Sequence, residues 1–188
     1  MIINEKNMHN IGAYIKYKSE SDIGILIVDR EHVLGAWKDV NNINIVYQLT
    51  LFCNKLFEDV SGFYPDFSGW VSRKVVPGII NGDREIIIAL NAEKQIGYSV
   101  IKNTVKEKKI CTLYVEPEAR SQHIGTALLN ISKIRLKEDH PLITVSEDRV
   151  HFFEKLFSGS GFVKINGIND LYVKGKTEFV YNRELMDE

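Results

Sequence analysis

Residues 117–130 read PEARSQHIGTALLN, and the fold turns on how this stretch is read. Pro117 follows the apolar run ICTLYV at 110–115 and stops it, because proline cannot donate to a strand ladder. Beyond the loop, Ile124, Ala127, Leu128 and Ile131 fall at i, i+3, i+4 and i+7, the spacing of one helical face. A strand therefore runs into a polar loop, 118–122, and a helix starts near His123 and Ile124. The first turn of a helix leaves backbone N–H groups unpaired and carries a partial positive charge. A phosphate placed there gains hydrogen bonds and a favourable dipole. Arg120 adds a cationic fork, Ser121, Gln122 and Thr126 add neutral donors, and Gly125 has no Cβ to hold a ligand away from the backbone. The same residues would also serve as an ordinary polar start to a helix, and the stretch alone leaves both readings open.

Upstream, EIIIAL at 85–90 is a continuous apolar run, the pattern of a strand covered on both faces. It is linked by NAEKQ to IGYSVIK, and after NTVKEKK comes ICTLYV, which predicts three antiparallel strands in a meander. Nearer the N-terminus, AYIKYK and IGILIVD flank the turn-like SESD as a hairpin. Over 42–59, Val46, Leu49, Cys53 and Leu56 recur at helical spacing, widened by Ile45, Phe52 and Phe57. The aromatic loop SGFYPDFSGW follows, and a second short helix is expected from Phe67 to about Pro77 and Gly78. Downstream, Pro141 opens the strand LITV, a short helix spans 150–157, and SGSGF, LYV and TEFVYN close the chain, the last two read as strands. The order β-β-β-α-β-α-β-β after a helical N-terminal part predicts a mixed α/β domain with helices against one sheet.

At 188 residues the chain suits one well-filled core rather than two. With 24 Lys+Arg against 25 Asp+Glu it has no general field for nucleic acid or anionic lipid. No apolar run approaches the ~18 residues of a membrane span. The start MIINEKNMHN lacks the basic-then-apolar pattern of an export signal, so the cytoplasm is expected. Cys53 and Cys111 fit neither a disulfide framework nor a metal knuckle, and are read as buried small hydrophobes in a reducing compartment. His9, His32, His140 and His151 show no ligand spacing, so no metal is expected.

The loop resembles the acyl-CoA pyrophosphate loop of the GNAT (GCN5-related) N-acetyltransferase family. That pattern runs Arg or Gln, two residues, Gly, one residue, then Gly or Ala; here it is Arg120, Ser121, Gln122, His123, Ile124, Gly125. LYVEP before the loop is similar to the family's bulged fourth strand, PLITV to its fifth, LFSGSGF to its late helix ending in Gly-Phe, and REIIIAL with QIGYSVI to strands two and three. The likeness covers about 84–182, while 1–80 match by element order only. It implies one N-acetyltransferase-like domain over 1–188, with a mostly antiparallel sheet flanked by helices. The fourth and fifth strands would splay to admit the pantetheine arm. His123 stands where the family has its first glycine; if that position needs a positive φ, histidine is among the better-tolerated substitutes, and its N–H remains.

Carried across, the resemblance implies acetyl-CoA as the donor and a primary amine on a small molecule or a protein as the acceptor. Leu113, Tyr114 and Val115 would pair with the pantetheine amides by strand addition. A backbone N–H near Tyr114 or Val115 would face the thioester carbonyl, and Arg120, Ser121, Gln122, His123, Ile124, Gly125 and Thr126 would hold the diphosphate. A neutral amine attacks directly and a thiolate leaves. The family's usual acid, a tyrosine four residues before the late glycine, falls on Phe157 or, in the other register, on Phe153. The asparagine seven residues earlier is Val150. At helical spacing these three read as core. A thiol with pKa near ~8.5 can leave without a donor, and Tyr172 or a water is the alternative acid. Glu147, in SED after the fifth strand, is the candidate base, reaching the amine through water; Glu116 is expected to be exposed. Phe63, Tyr64, Phe67 and Trp70 fit an apolar acceptor lining or a cluster under a loop. The missing acid leaves a non-catalytic acyl-CoA-binding or regulatory domain as the alternative function, and a purely structural module would follow if the loop is only a cap. The C-terminal LYVKGKTEFVYN offers an edge through which two copies could pair.

Overall fold

The isoleucine-rich run becomes the middle of an eight-stranded sheet in the computed structural model, which describes residues 13–16, 23–36, 43–92 and 94–185. The strands are β1 (Ala13–Lys16), β2 (Ile23–Val28), β3 (Arg84–Asn91), β4 (Lys94–Asn103), β5 (Lys108–Val115), β6 (Leu142–Ser146), β7 (Lys164–Asn169) and β8 (Thr177–Tyr181). Their order is β1-β2-β3-β4-β5-β6-β8-β7, antiparallel throughout except for the parallel pair β5–β6. The expected hairpin is β1–β2, its turn lying outside the described residues, as does the N-terminal segment 1–12. The sheet is mixed and mostly antiparallel with helices on both faces, as the pattern of periods predicts.

Alternation along β3 feeds two cores. Ile86, Ile88 and Leu90 face α1 (Arg30–Ala36), α2 (Ile43–Leu56), α3 (Glu58–Ser61), α4 (Phe67–Trp70) and α5 (Val76–Asn81). Ile87 and Ala89 face α6 (Ile124–Leu136) and α7 (Val150–Gly159). Because both faces are covered, Ile86, Ile87, Ile88 and Ala89 are fully buried, which is why the run carries no polar alternation. In α2 the buried stripe is Ile45, Leu49, Phe52, Cys53 and Leu56; Val46, expected within it, is 47% exposed. Leu49 and Cys53 set the axis of the stripe, and Val46 lies off it on the solvent side.

The second helix runs on to Asn81 rather than ending near Gly78. Pro77 does not stop it. Proline has no N–H to give and its ring crowds the carbonyl four residues back, and the helix accommodates this by widening into a π turn over Val71–Val75. The last strands also differ from expectation. The edge strand is Lys164–Asn169, and Leu171, Tyr172 and Val173 form a loop instead of a strand; TEFVY is an interior strand between β6 and β7. β7 is exposed along nearly its whole length, so no apolar alternation marks it.

α6 is pinned across β4. Ser132 Oγ lies 2.9 Å from Ser99 Oγ and donates to the Leu128 carbonyl at 2.7 Å, with both serines buried. Arg135, in the last turn, reaches Glu85 at 2.6 Å and Asp29 at 3.0 Å. Gly97 makes this approach possible: a Cβ there would meet the Tyr114 carbonyl oxygen at 2.7 Å and Leu128 Cδ1 at 3.2 Å. Gly97→Ala should therefore push β4 from β5 or lift α6, lowering stability by about 1–3 kcal/mol in urea titrations.

Candidate active site

β5 and β6 share only two residue pairs, Lys109 with Leu142 and Ile110 with Ile143. Past these the strands part. β5 keeps its partner β4 up to Val115, and β6 keeps β8 up to Ser146. A bulge marks the point of parting, because Val100 faces Thr112 while Ile101 faces Ile110, leaving Cys111 outside the register. Bulges sharpen local twist and bend the strand that carries them. The edge of residues 112–115 is thus turned to a gap rather than to a neighbouring strand. The expected splay is present, though its bulge falls at Cys111, earlier than LYVEP suggested.

A cavity of about 1110 Å³ fills the gap and reaches both faces of the sheet. On one side it is lined by Arg120, Ser121, His123, Ile124, Gly125 and Thr126, with Phe152 and Leu156 of α7. Leu113, Tyr114 and Val115 form its edge. Gln122, expected with these residues, instead donates to the Glu118 carbonyl at 3.0 Å and lines a separate hollow. Residues 117–119 form a 3₁₀ turn, Ser121 and His123 take φ of 62° and 60°, and α6 begins at Ile124. Histidine does occupy the left-handed conformation here, which a glycine would adopt without strain. No side chain caps the first turn of α6, and its residues Ile124, Gly125 and Thr126 line the cavity, with the helix dipole behind them. Arg120 Nε donates to the Val115 carbonyl at 3.2 Å, and its guanidinium lies 4.7 Å from the Phe152 ring. The loop thus presents backbone donors and an arginine already oriented over one end of the cavity. This donor set fits a diphosphate.

On the other side the lining is Val60, Phe63, Tyr64, Phe67, Trp70 and Arg84, so the aromatic loop lines the cleft and also packs under itself. Cys111 is half-buried at the bulge, not a core residue, and accepts from Arg84 Nη1 at 3.0 Å; Cys53 is buried as expected. Phe157 is buried and stacks on Phe162 at 4.9 Å, and Phe153 and Val150 pack against the same core. At the three positions where the acid and its neighbour are expected, the late helix therefore offers no hydroxyl. Tyr172 does: its ring lines the cavity and its hydroxyl accepts from Lys109 Nζ at 3.1 Å. The loop that stands in place of the expected strand is the one that delivers it. Glu116 is half-buried rather than exposed, and accepts from the Tyr114 hydroxyl at 3.2 Å.

Glu147 sits on the turn after β6, exposed, its N–H bound to the Thr177 carbonyl at 2.9 Å and its side chain outside the cavity lining. The carboxylate that the fold buries beside the cleft is Glu178 of β8, 1% exposed, with no hydrogen-bond partner on either oxygen. Its pKa is pushed from 4.5 up to about 7 by burial, with the Lys109 charge pulling the other way. Motif and spacing do not single it out: in TEFVY, Glu178 and Val180 share one face and the aromatics Phe179 and Tyr181 the other, and alternation alone does not show that the glutamate's face is covered. Among the described residues no cluster of His, Cys, Asp and Glu could hold a metal, and no helix is long and apolar enough to cross a membrane.

A carboxyl with a raised folded-state pKa keeps its proton in the native state over a range where the unfolded chain has lost it. Stability is then full below about 4.5 and falls as pH rises to about 7. Glu178→Gln should melt like wild type at pH 5 and higher than wild type at pH 8, by up to ~3 kcal/mol in unfolding free energy, read from melting curves across that range.

Comparison with known proteins places this geometry. A family profile described as "Acetyltransferase (GNAT) domain" matches residues 61–177. Among solved structures, a GNAT-family acetyltransferase from Desulfovibrio desulfuricans is 17% identical, with TM-score 0.56 over 70% of this chain and 89% of that one. The PaiA N-acetyltransferase from Thermoplasma acidophilum, solved with coenzyme A, is 15% identical over 86% and 99% at TM-score 0.51. An aminoglycoside 6'-N-acetyltransferase, also solved with coenzyme A, is 15% identical over 76% and 92% at TM-score 0.50. At these identities the likeness is one of fold. No curated protein sequence matches the chain. The profile spans more than half of the residues, including the parted strands and the α6 loop, and the chain belongs to the GNAT acetyltransferase domain family.

Proposed function

We propose that the chain, as one domain working in the cytoplasm, is an acetyl-CoA-dependent N-acetyltransferase acting on a primary amine. The observation that carries this reading is the parting of β5 from β6 after Ile110, with the uncapped start of α6 at the open end. Bound there, acetyl-CoA would supply an activated acetyl group on sulfur. The first-turn N–H groups of α6, with Arg120, Ser121, His123, Gly125 and Thr126, hold its diphosphate. The open edge of β5 at Leu113, Tyr114 and Val115 pairs with its amides as an added strand. The amine enters from the aromatic side, its nitrogen bonds to the acetyl carbon, and the C–S bond breaks with the electron pair leaving on sulfur. A backbone N–H of β5 beside the parting stabilises the carbonyl oxygen.

The amine must lose a proton and the thiolate gains one. Neither Glu147 nor Glu178 lines the cavity. Glu178 is the preferred acceptor in this reading, taking the proton through water, because it lies behind the wall within electrostatic reach of the lining residues Lys109 and Tyr64 and titrates near neutral pH. Tyr172 takes the donor role that Phe157 and Phe153 cannot fill, with Lys109 hydrogen-bonded to its oxygen. A second reading, a domain that binds acyl-CoA without turnover, is favoured by one feature, the hydroxyl-free stripe of α7.

Calorimetry should show acetyl-CoA and CoA binding below millimolar concentration, and Gly125→Glu, which puts a carboxylate among the first-turn donors, should abolish it. Absence of binding in the wild type would sink the reading. Free-thiol release against a broad amine panel separates the enzyme from the binding domain. In that assay Tyr172→Phe should lower kcat by about 10-fold or more, and Glu178→Gln should remove a rate increase through pH 7; unchanged profiles would reassign both roles.

A further inference from the structure

The chain's net charge is −1, yet the cavity wall is strongly cationic. Seven of its lining residues are lysine or arginine, and Glu107 is the single carboxylate among them in the described residues. Glu107 is already engaged with Lys102 at 2.7 Å. Two of the cations, Arg120 and Lys155, lie at the end near α6 and α7 where the diphosphate is placed. The others lie toward the aromatic side, and three of these form a row: Arg84 of β3 faces Lys102 of β4, which faces Lys109 of β5. Like charges directly opposite on a sheet face repel. The row stands where β5 and β6 begin to part, at the reacting end of the cleft.

Arg84 is the unusual member. It is 6% exposed, and its stem lies against Gly78 of α5, where a Cβ would come within 2.7 Å of its Cγ and Cδ. Among the described residues its guanidinium meets a thiol, Cys111 Sγ at 3.0 Å, and the Trp70 ring at 5.9 Å. No carboxylate pairs with it among the described residues. A buried guanidinium without a counter-ion opposes folding strongly, and its planar fork matches a carboxylate in two hydrogen bonds. Lys109 stays charged as well: burial opposes its charge, but Tyr172, Cys111 and Glu107 more than offset this and hold its pKa above the ordinary value.

We propose that the acceptor is an amine that also carries a carboxylate and an apolar body, an apolar α-amino acid, with its carboxylate held by Arg84. This rests on the acetyl-transfer reading above and names the acceptor for it. Trp70 beside Arg84, with Phe67 against it and Val60 in the same lining, receives the apolar side chain, and Cys111, bonded to Arg84 at the bulge, lies where the amine meets the gap. The cationic wall disfavours an ammonium there, which helps deliver the amine in its neutral, attacking form, and it repels polycationic amines.

The test compares acid and amide on the full-length protein. Free-thiol release is measured with phenylalanine, leucine, methionine and tryptophan, with the amide of each, with phenethylamine, and with kanamycin. The amide's amine is the less protonated of each pair, so chemistry alone would favour the amide; a preference for the acid reports the carboxylate site. The best acid should exceed its amide by on the order of 100-fold in kcat/KM, expressed mainly in KM. Arg84→Met, which keeps the stem and removes the charge, should bring that ratio close to one. Equal or better use of the amides or of phenethylamine, or a preference for kanamycin, overturns the proposal. The acid-to-amide comparison on wild type stands even if the variant fails to fold. Where nothing turns over, calorimetry of the N-acetylated acid and its amide, with and without CoA, decides: tighter binding of the acid supports the site and equal binding overturns it. Failure of CoA itself to bind counts against the transferase reading and is seen separately.

Discussion

Two residue pairs hold β5 against β6, and the active-site reading depends on there being no more. A parallel pair joined along its length would satisfy every facing N–H and C=O and leave nowhere for a ligand arm. Here the bulge at Cys111 turns β5 away just as pairing begins, and β6 is held on its far side by β8. Unpaired backbone groups in a dry interior are costly. Along a cavity of about 1110 Å³ they are tolerable, because water or an added strand can take them. The gap is therefore a consequence of local strand geometry, and the cleft on both faces follows from it.

The same parting explains where α6 begins. The crossover from β5 to β6 must pass over the open end, so its helix starts there with its first turn turned toward the gap. Ser121 and His123 in the left-handed region are the cost of turning the chain so tightly. What anchors the arrangement is remote from it: the buried Ser132–Ser99 contact and the Arg135 bridges to Glu85 and Asp29 fix the helix at its middle and far end.

Much of this is legible in the sequence because it rests on periodicity. β3 as a doubly covered run, α6 as an amphipathic face after Pro117, and the donor loop around Gly125 each have a pattern imposed by packing. What periodicity misses are residues whose environment is set by partners far along the chain. Leu171 and Tyr172 line the cleft, which gives a loop the composition of a strand; KINGIN is exposed on an edge and carries no signal. Cys111 has the composition of core but sits in a bulge that only the pairing with β4 creates. Glu178 is hidden inside a good strand pattern. The charge of the cleft is hidden too, since a balanced composition says nothing of which charges are gathered together.

Several locally unfavourable features of the fold border one place. An uncapped helix start, two non-glycine residues at positive φ, a guanidinium facing a thiol, three cations in cross-strand register and a carboxylate without a partner all border the cleft or lie just behind its wall. The two cores on either side of the sheet, by contrast, are continuous, and the fully buried residues Ile86, Ile87, Ile88, Leu49 and Leu128 show no such tension. Elements that violate local rules are expected where function demands it. Their signs are informative: donors and cations outnumber acceptors, so the cleft is organised to receive negative charge at both ends. In the proposed reading a diphosphate satisfies one end. At the other, Arg84 has no carboxylate partner among the described residues and Lys109 lies two strands away on the same face, so a ligand carboxylate would be met by cations there.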